Sequence, residues 1–356
     1  KRSSRQTRPG PLKRPKRNEG DSVETKASCS SSADSIVGLV RRVCRDAIED
    51  PEFQEKLAKI KRHFYERDYD AVFSSPTNLP IYAAYYVPAR AMCYNNIISN
   101  NRDVFERILC PNDTKKWPSL RGKRRKVCVH LVGGGPGSEL LGIARCLFEM
   151  HVSHASPSSL SAAKSLPPRV HLITYDYSDF SSLHRGKRGL WRAAGEWWRE
   201  HATKDWAKKL TPRCRFVQAD ALKLSEKQRN EWSTGRVITF LFVIAELFKA
   251  NGEKTLALFR YLRDNVRPGA VLLIMESAGT FSFVRPAPGE PKEWIYNILD
   301  ELMLNDGSAG GSSNSRSAWK CVAKSNSEWF RVRNTGVSYP LKMQDMRYFH
   351  RIYRKS

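Results

Sequence analysis

The sequence predicts an α/β fold, a mainly parallel sheet wound with helices and preceded by a helical cap. Three observations predict it. From Lys126 onward, short apolar runs alternate with longer stretches of helical spacing, as in successive strand–helix–strand units. Two of those runs, VITFLFVI (237–244) and AVLLIM (270–275), are continuously apolar, as strands covered on both faces must be. Before them, Ile36, Leu39, Val40, Val43, Ile48, Phe53, Leu57, Ile60 and Phe64 recur at the spacing of amphipathic helices.

Composition narrows the class. The chain has 356 residues, 40% of them hydrophobic, which is enough to build a large core. Its 61 Lys+Arg against 36 Asp+Glu give a net charge of +25, so nucleic acid or another acidic surface is the expected partner. The eight cysteines (29, 44, 93, 110, 128, 146, 214 and 321) include no CxxC pair, which argues against a zinc ribbon or redox motif. Free thiols in a reducing compartment are expected. No run reaches the roughly 18 to 20 apolar residues of a membrane helix, and the N-terminus lacks the apolar core of a secretion signal. A soluble, intracellular protein is expected.

Taken in order, residues 1–34 read as a basic tail: the first seventeen hold eight basic residues and no acid, and no core can form there. Lys13-Arg14-Pro15-Lys16-Arg17 suits nuclear import or phosphate tracking. Residues 35–120 form the helical cap, with a break near Pro51 and a further helical region from Leu79 to Leu109. Residues 121–356 form the α/β domain. Its expected strands are VCVHLV (127–132), RVHLITYDY (169–177), RCRFVQAD (213–220) and the two continuous runs; KCVAKS, EWFRVRN and MRYFHRIYRK follow as late strands, with an antiparallel hairpin at the sheet edge. Flexible insertions are expected near 151–168 and 305–317, both rich in small and polar residues.

The sharpest motif is Gly133-Gly134-Gly135-Pro136-Gly137-Ser138-Glu139, between the first strand and LLGIARCLFEM, which reads as a helix. Glycines let the backbone turn sharply against a ligand, and the helix start offers unpaired N–H groups. A nucleotide-like cofactor fits there. The GxGxxG spacing of a dinucleotide site fails, because Ser138 or Leu140 falls at the third glycine. Asp176, ending the second strand, is placed to accept two ribose hydroxyls. Asp220 and Ala221, ending the third, would face an adenine edge. Together they favour S-adenosylmethionine over NAD.

With these motifs the chain resembles the class I S-adenosylmethionine-dependent methyltransferases, and within them the fungal large-subunit (25S) rRNA uridine-N3 methyltransferases. The likeness runs from about Tyr82 to Lys355 and rests on GGGPGSE (133–139), ITFLFVIAELF (238–248), MESAGTFSFV (275–284) and YPLKMQDMRYFHRIYRK (339–355). It implies a Rossmann-like, seven-stranded fold and an rRNA partner in the nucleus or nucleolus, with the cytoplasm as second choice. It also implies that Gly133, Gly134, Gly135, Gly137 and Glu139 cradle the methionine part of the cofactor, Asp176 the ribose, and Asp220 with Ala221 the adenine. Two departures stand out. Leu131 occupies the place where many class I enzymes carry an acid, leaving that contact to Glu139; Ala245-Glu246-Leu247 stands where the family is expected to read Asn-Glu-Leu.

A uridine N3 acceptor needs its proton removed or its anion stabilised. Glu246, at the carboxyl end of the fourth strand, is the candidate base, with Glu276 and Ser277 as second choice. Phosphates call for Lys and Arg, and unstacked bases for aromatic rings. Tyr85, Tyr86 and Arg90 are read as a lid on the acceptor, and Arg347 and Tyr348 as groups reaching the pocket. In HRGKRGLWRAAGEWWREHATKDWAKK (184–209), Trp191, Ala194, Trp198 and Ala202 share a helical face, and that tryptophan stripe is read as core. His151 and His154 lack the third ligand of a zinc site, so no metal is expected. The competing readings are a methyltransferase with another acceptor and a weakly active RNA-binding assembly factor in which Leu131 marks a weakened pocket.

Overall fold

Five runs after Lys126 become the parallel strands of one sheet; the inner four are apolar because they are covered on both faces, while RCRFVQ, at the sheet edge, keeps its arginines exposed. The computed structural model of the chain describes residues 35–110, 126–153, 168–185, 189–203, 205–305 and 318–356. The basic tail and most of the two expected insertions lie outside them. The strands are β1 (Lys126–Val132), β2 (Arg169–Asp176), β3 (Arg213–Gln218), β4 (Val237–Leu241), β5 (Val271–Ser277), β6 (Trp319–Phe330) and β7 (Met346–Lys355). They lie side by side in the order β3-β2-β1-β4-β5-β7-β6. Neighbours from β3 to β5 are parallel, and β7 runs antiparallel to both β5 and β6. Every residue of β4 is buried, as its unbroken apolarity requires. The winding reverses between β1 and β4, which leaves a crevice at their carboxyl ends where such sheets take ligands.

The late strands correct the sequence reading in one respect. KCVAKS and the start of EWFRVRN form a single strand, β6, bent by irregularities between Cys321 and Ala323 and between Ser325 and Glu328. The hairpin does close the sheet, but β7 is its inner member. Tyr348, Phe349, Ile352 and Tyr353 fill both faces of β7, so it needs cover on both sides and β6 takes the edge.

Cap helices α1 (Phe53–Glu66), α2 (Asn78–Asn100) and α3 (Arg102–Leu109) precede the sheet, after a helix over residues 35–43. Almost every side of α2 is apolar and buried, because it runs between the other cap helices and α4 (Ser138–Ser153). The approach is close at Gly142, where a Cβ would come 2.7 Å from the Ala91 carbonyl oxygen. One hydrophobic cluster therefore runs from the cap into one face of the sheet. A second fills the opposite face, beneath α6 (Glu226–Ser233), α7 (Ile244–Asn265) and α8 (Ile295–Leu304). Between α4 and α6, α5 (Leu190–His201) buries Trp198, whose indole N–H donates to the Ala207 carbonyl, as its reading as core expects.

A buried ion pair ties the hairpin to α8. Arg351, 1% exposed, donates from Nε to both carboxylate oxygens of Asp300 (2.9 and 3.0 Å), and the Tyr353 hydroxyl donates to the same carboxylate at 2.6 Å. Removing the acid leaves a buried cation with only neutral acceptors, the Ser325 and His350 carbonyls and the Asn326 amide oxygen. Asp300→Ala is expected to lower stability by about 3–5 kcal/mol, as breaking one partner of a buried pair does. Urea denaturation monitored by circular dichroism checks this, and a loss below about 1 kcal/mol would show that the neutral acceptors alone hold the arginine.

Candidate functional site

The turn after β1 is built around glycine because the backbone must enter the left-handed region and pass close to its neighbours. Gly133 has φ +74° and Gly137 φ +95°. At Gly135 a Cβ would sit 2.2 Å from the Phe180 ring and 2.4 Å from the Asp176 carboxylate. That carboxylate holds the turn in place: Oδ2 accepts the Gly135 N–H at 2.9 Å, while Oδ1 accepts the Ser178 N–H at 3.1 Å. Burial nevertheless lifts the Asp176 pKa to about 6, against the backbone N–H groups that favour its anion.

Beyond this turn opens a cleft of about 440 Å³, a size suited to a small-molecule cofactor. Its floor comes from the carboxyl ends of the parallel strands, with Val132, Gly133, Asp176, Ala221, Val243 and Glu246 on the wall. Asp220 also lines it, but its Oδ1 caps the following turn by accepting the Leu222 N–H at 2.8 Å, and Lys223 lies 3.3 Å away. Glu139 lies beneath the turn, 2% exposed, and is not among the cleft-lining residues. Burial pushes its pKa up to about 8, opposed by the charge of Arg90. Leu131 is wholly buried in the core under the loop.

Glu246 and Glu276, read as alternatives for one role, turn out to hold different positions. Glu276 is 4% exposed and accepts the backbone N–H groups of Ala245 (3.1 Å) and Ser277 (2.8 Å), so it fastens the start of α7. Glu246 is on the cleft wall with no protein hydrogen-bond donor among the described residues. Its pKa is raised well above the ordinary carboxylate range by burial first and then by the charge of Glu276; Arg90 works against both. Ser277 sits with Glu276 and is not on the wall.

The cap closes the other side. Arg90, from α2, donates to the Tyr82 hydroxyl and packs its guanidinium against Tyr86 and Phe242, at 5.1 and 5.2 Å from the ring centres. It lines the cleft, whereas Tyr85, read as part of the same lid, is buried against Tyr86 and Lys61. The two groups expected from the last strand do not reach the cleft. Alternation along β7 turns Arg347 outward, where its Nε donates to Ser327 at 2.9 Å, and turns Tyr348 into the core, where its hydroxyl donates to Glu328 at 3.0 Å. Sequence reading missed Tyr69, Asp70, Phe73 and Phe242, all on the wall. Phe242 carried a signal only in its place after a buried strand: its backbone is left-handed (φ 58°), a strain held at functional sites.

The sheet order, the glycine turn after the first strand and the acid closing the second define a doubly wound enzyme of the nucleotide-cofactor type. The family described as SAM-dependent methyltransferases matches residues 40–354, and the chain belongs to it. The protein is an S-adenosylmethionine-dependent methyltransferase. It is similar to the 25S rRNA (uridine(2843)-N(3))-methyltransferase of Saccharomyces cerevisiae, 24% identical over 307 residues, 85% of this chain and 78% of that one. Among solved structures it is similar to a SAM-dependent methyltransferase of Methanosarcina mazei, 12% identical with a TM-score of 0.35, over 65% of this chain and 94% of that one. Another is N-methyltransferase NodS of Bradyrhizobium japonicum in complex with S-adenosyl-L-homocysteine, 11% identical with a TM-score of 0.31, over 72% of this chain and 86% of that one.

The residues present suit that cofactor: a glycine turn that no Cβ fits, a carboxylate with lone pairs left for hydroxyls, and the apolar Val132, Ala221 and Val243 on the wall. No helix among the described residues is long and apolar enough to cross a membrane, and no group of three or more His, Cys, Asp or Glu among them could hold a metal ion. Gly135→Ala drives a methyl group into Phe180 and Asp176 and is expected to cost about 1–3 kcal/mol, with loss of cofactor affinity. Thermal melting and titration calorimetry with S-adenosylmethionine check both; wild-type affinity in the variant would place the cofactor elsewhere.

Proposed function

We propose that this enzyme methylates N3 of a uridine in large-subunit rRNA, acting in the nucleus or nucleolus. One observation carries it: a cleft-facing carboxyl, Glu246, with a raised pKa and no protein donor, beside aromatic rings and a cation. The relative that names this reaction and the chain's net charge of +25 support the acceptor class.

Bound adenosylmethionine supplies an electrophilic methyl group, so the chain's own work is to place the acceptor, exclude water and take one proton. Glu246 accepts the N3 proton. A carboxylate of ordinary acidity is a poor base for an imide, and its raised pKa narrows the gap. Arg90 holds the charge that develops on the uracil as the proton leaves, and its packing among Tyr82, Tyr86 and Phe242 keeps the guanidinium from swinging away. Tyr69, Phe73 and Phe242 offer faces for the unstacked base. In the same reading Asp176 and Ala221 hold the cofactor's ribose and adenine, while Glu139 steadies the turn from below. Asp220 contributes through the turn it caps.

Glu246→Gln is expected to lower methyl transfer roughly 100-fold or more while leaving adenosylmethionine affinity near wild type. Mapping of modified nucleotides in rRNA from cells carrying only the variant checks it, and a full complement of N3-methyluridine would remove Glu246 from the reaction. Asp176 gives a pH dependence. Hydroxyl groups bind best to its anion, which is present above a pKa of about 6 and is lost as pH falls through that value, so cofactor affinity should be full near pH 7 and weaken below pH 6, at most about tenfold per unit. Calorimetry across that range tests it; a flat profile would exclude Asp176 from the contact.

A further inference from the structure

The opposite rim of the sheet, at the amino ends of β1, β2 and β3, carries a second cavity of about 270 Å³. Lys126, His130, His171, Arg213 and Arg215 line it, with Glu231 of α6 at one side. Strand register explains the cluster. Lys126 pairs with Arg169, His171 with Arg213, and Ile173 with Arg215, and alternate residues of a strand share a face, so four cations and an imidazole lie together on one surface.

The charge there is poorly balanced. Glu231 is committed to Arg215 at 2.6 Å and to the Tyr175 hydroxyl at 3.1 Å. Among the described residues, Lys126, Arg169 and Arg213 make no ion pair. His171 reports the excess: partial burial first, then Lys126, Arg213, Arg169 and Arg215, hold its pKa down to about 4. At the inner end His130, 1% exposed, leaves Nε2 without a partner among the described residues. Protection of an exposed sheet edge accounts for charges on β3 but not for Lys126 and Arg169, which belong to inner strands.

We propose that this cavity and its rim bind phosphates of an RNA backbone, as a second docking site remote from the methyl-transfer cleft. The occupant rests on the rRNA reading above; the anion chemistry rests on the cluster itself. Strands of six to eight residues put the two sites roughly 20 Å apart, so an RNA touching both is extended or folded across the sheet rather than a few nucleotides long. Such an enzyme reads a large RNA by phosphate positions on one rim and presents one base to the other.

The test compares wild type with a Lys126→Gln, Arg169→Gln, Arg213→Gln triple variant of the full chain, using a structured rRNA fragment as probe. The slope of log affinity against log salt is expected to fall by roughly two to three, while S-adenosylmethionine affinity stays unchanged. In wild type, the His171 ring followed by NMR should titrate at least about one unit higher when inorganic tripolyphosphate is added, because an anion beside it favours the imidazolium. An unchanged slope in a folded variant overturns the proposal. Should the variant unfold, the His171 titration decides alone, and an unmoved pKa overturns it. A lowered slope in a chain that methylates no RNA keeps this site and overturns the uridine reading instead.

Discussion

Where parallel strands end and helices begin, backbone N–H groups lose their partners, and an acceptor must be found for each one that is buried. Two carboxylates meet that demand here. Asp176 takes the N–H groups of Gly135 and Ser178 and thereby sets the turn between β1 and α4. Glu276 takes those of Ala245 and Ser277 and sets the start of α7. Both positions of the cleft floor depend on them. Because Glu276 absorbs the helix-start donors, Glu246 one residue further on is left unsatisfied and facing the cleft, next to a second buried negative charge. The reactivity proposed for Glu246 follows from what its neighbour has already taken.

The cap completes this arrangement from the far side. Arg90 could not sit among three aromatic rings on an isolated helix; α2 is packed against α4 closely enough for Gly142 to be required, and this fixes its reach over the cleft. At the mouth, the Tyr177 hydroxyl donates to Asp70 and the Lys249 ammonium donates to the Arg67 carbonyl, which joins the cap to the ends of β2 and the first turns of α7. These exposed contacts are weak individually.

Much of the site was legible because local chemistry announces itself in order along the chain. The glycine turn, Asp176 and Glu246 each follow an apolar strand, and strand ends of a doubly wound sheet converge by topology alone. The residues that were misread share a different history. Arg347 and Tyr348 lie in a segment whose length and aromatic content showed a strand, but a shift of one residue exchanges the two faces, and no local feature states the register. Asp220, by contrast, does line the cleft; that it also caps its own turn is a matter of geometry over three residues.

By itself the sequence determined the class of fold, the place of the glycine turn and the identity of the buried strands, because apolar period and glycine spacing act over a few residues and are paid for locally. Only the tertiary structure decided which carboxylate serves the backbone and which faces the cleft, that β7 lies inside its hairpin, and that cations from three strands gather on one rim. Those outcomes depend on contacts between residues distant in the chain, where burial and neighbouring charge, not residue type, set what a side chain does.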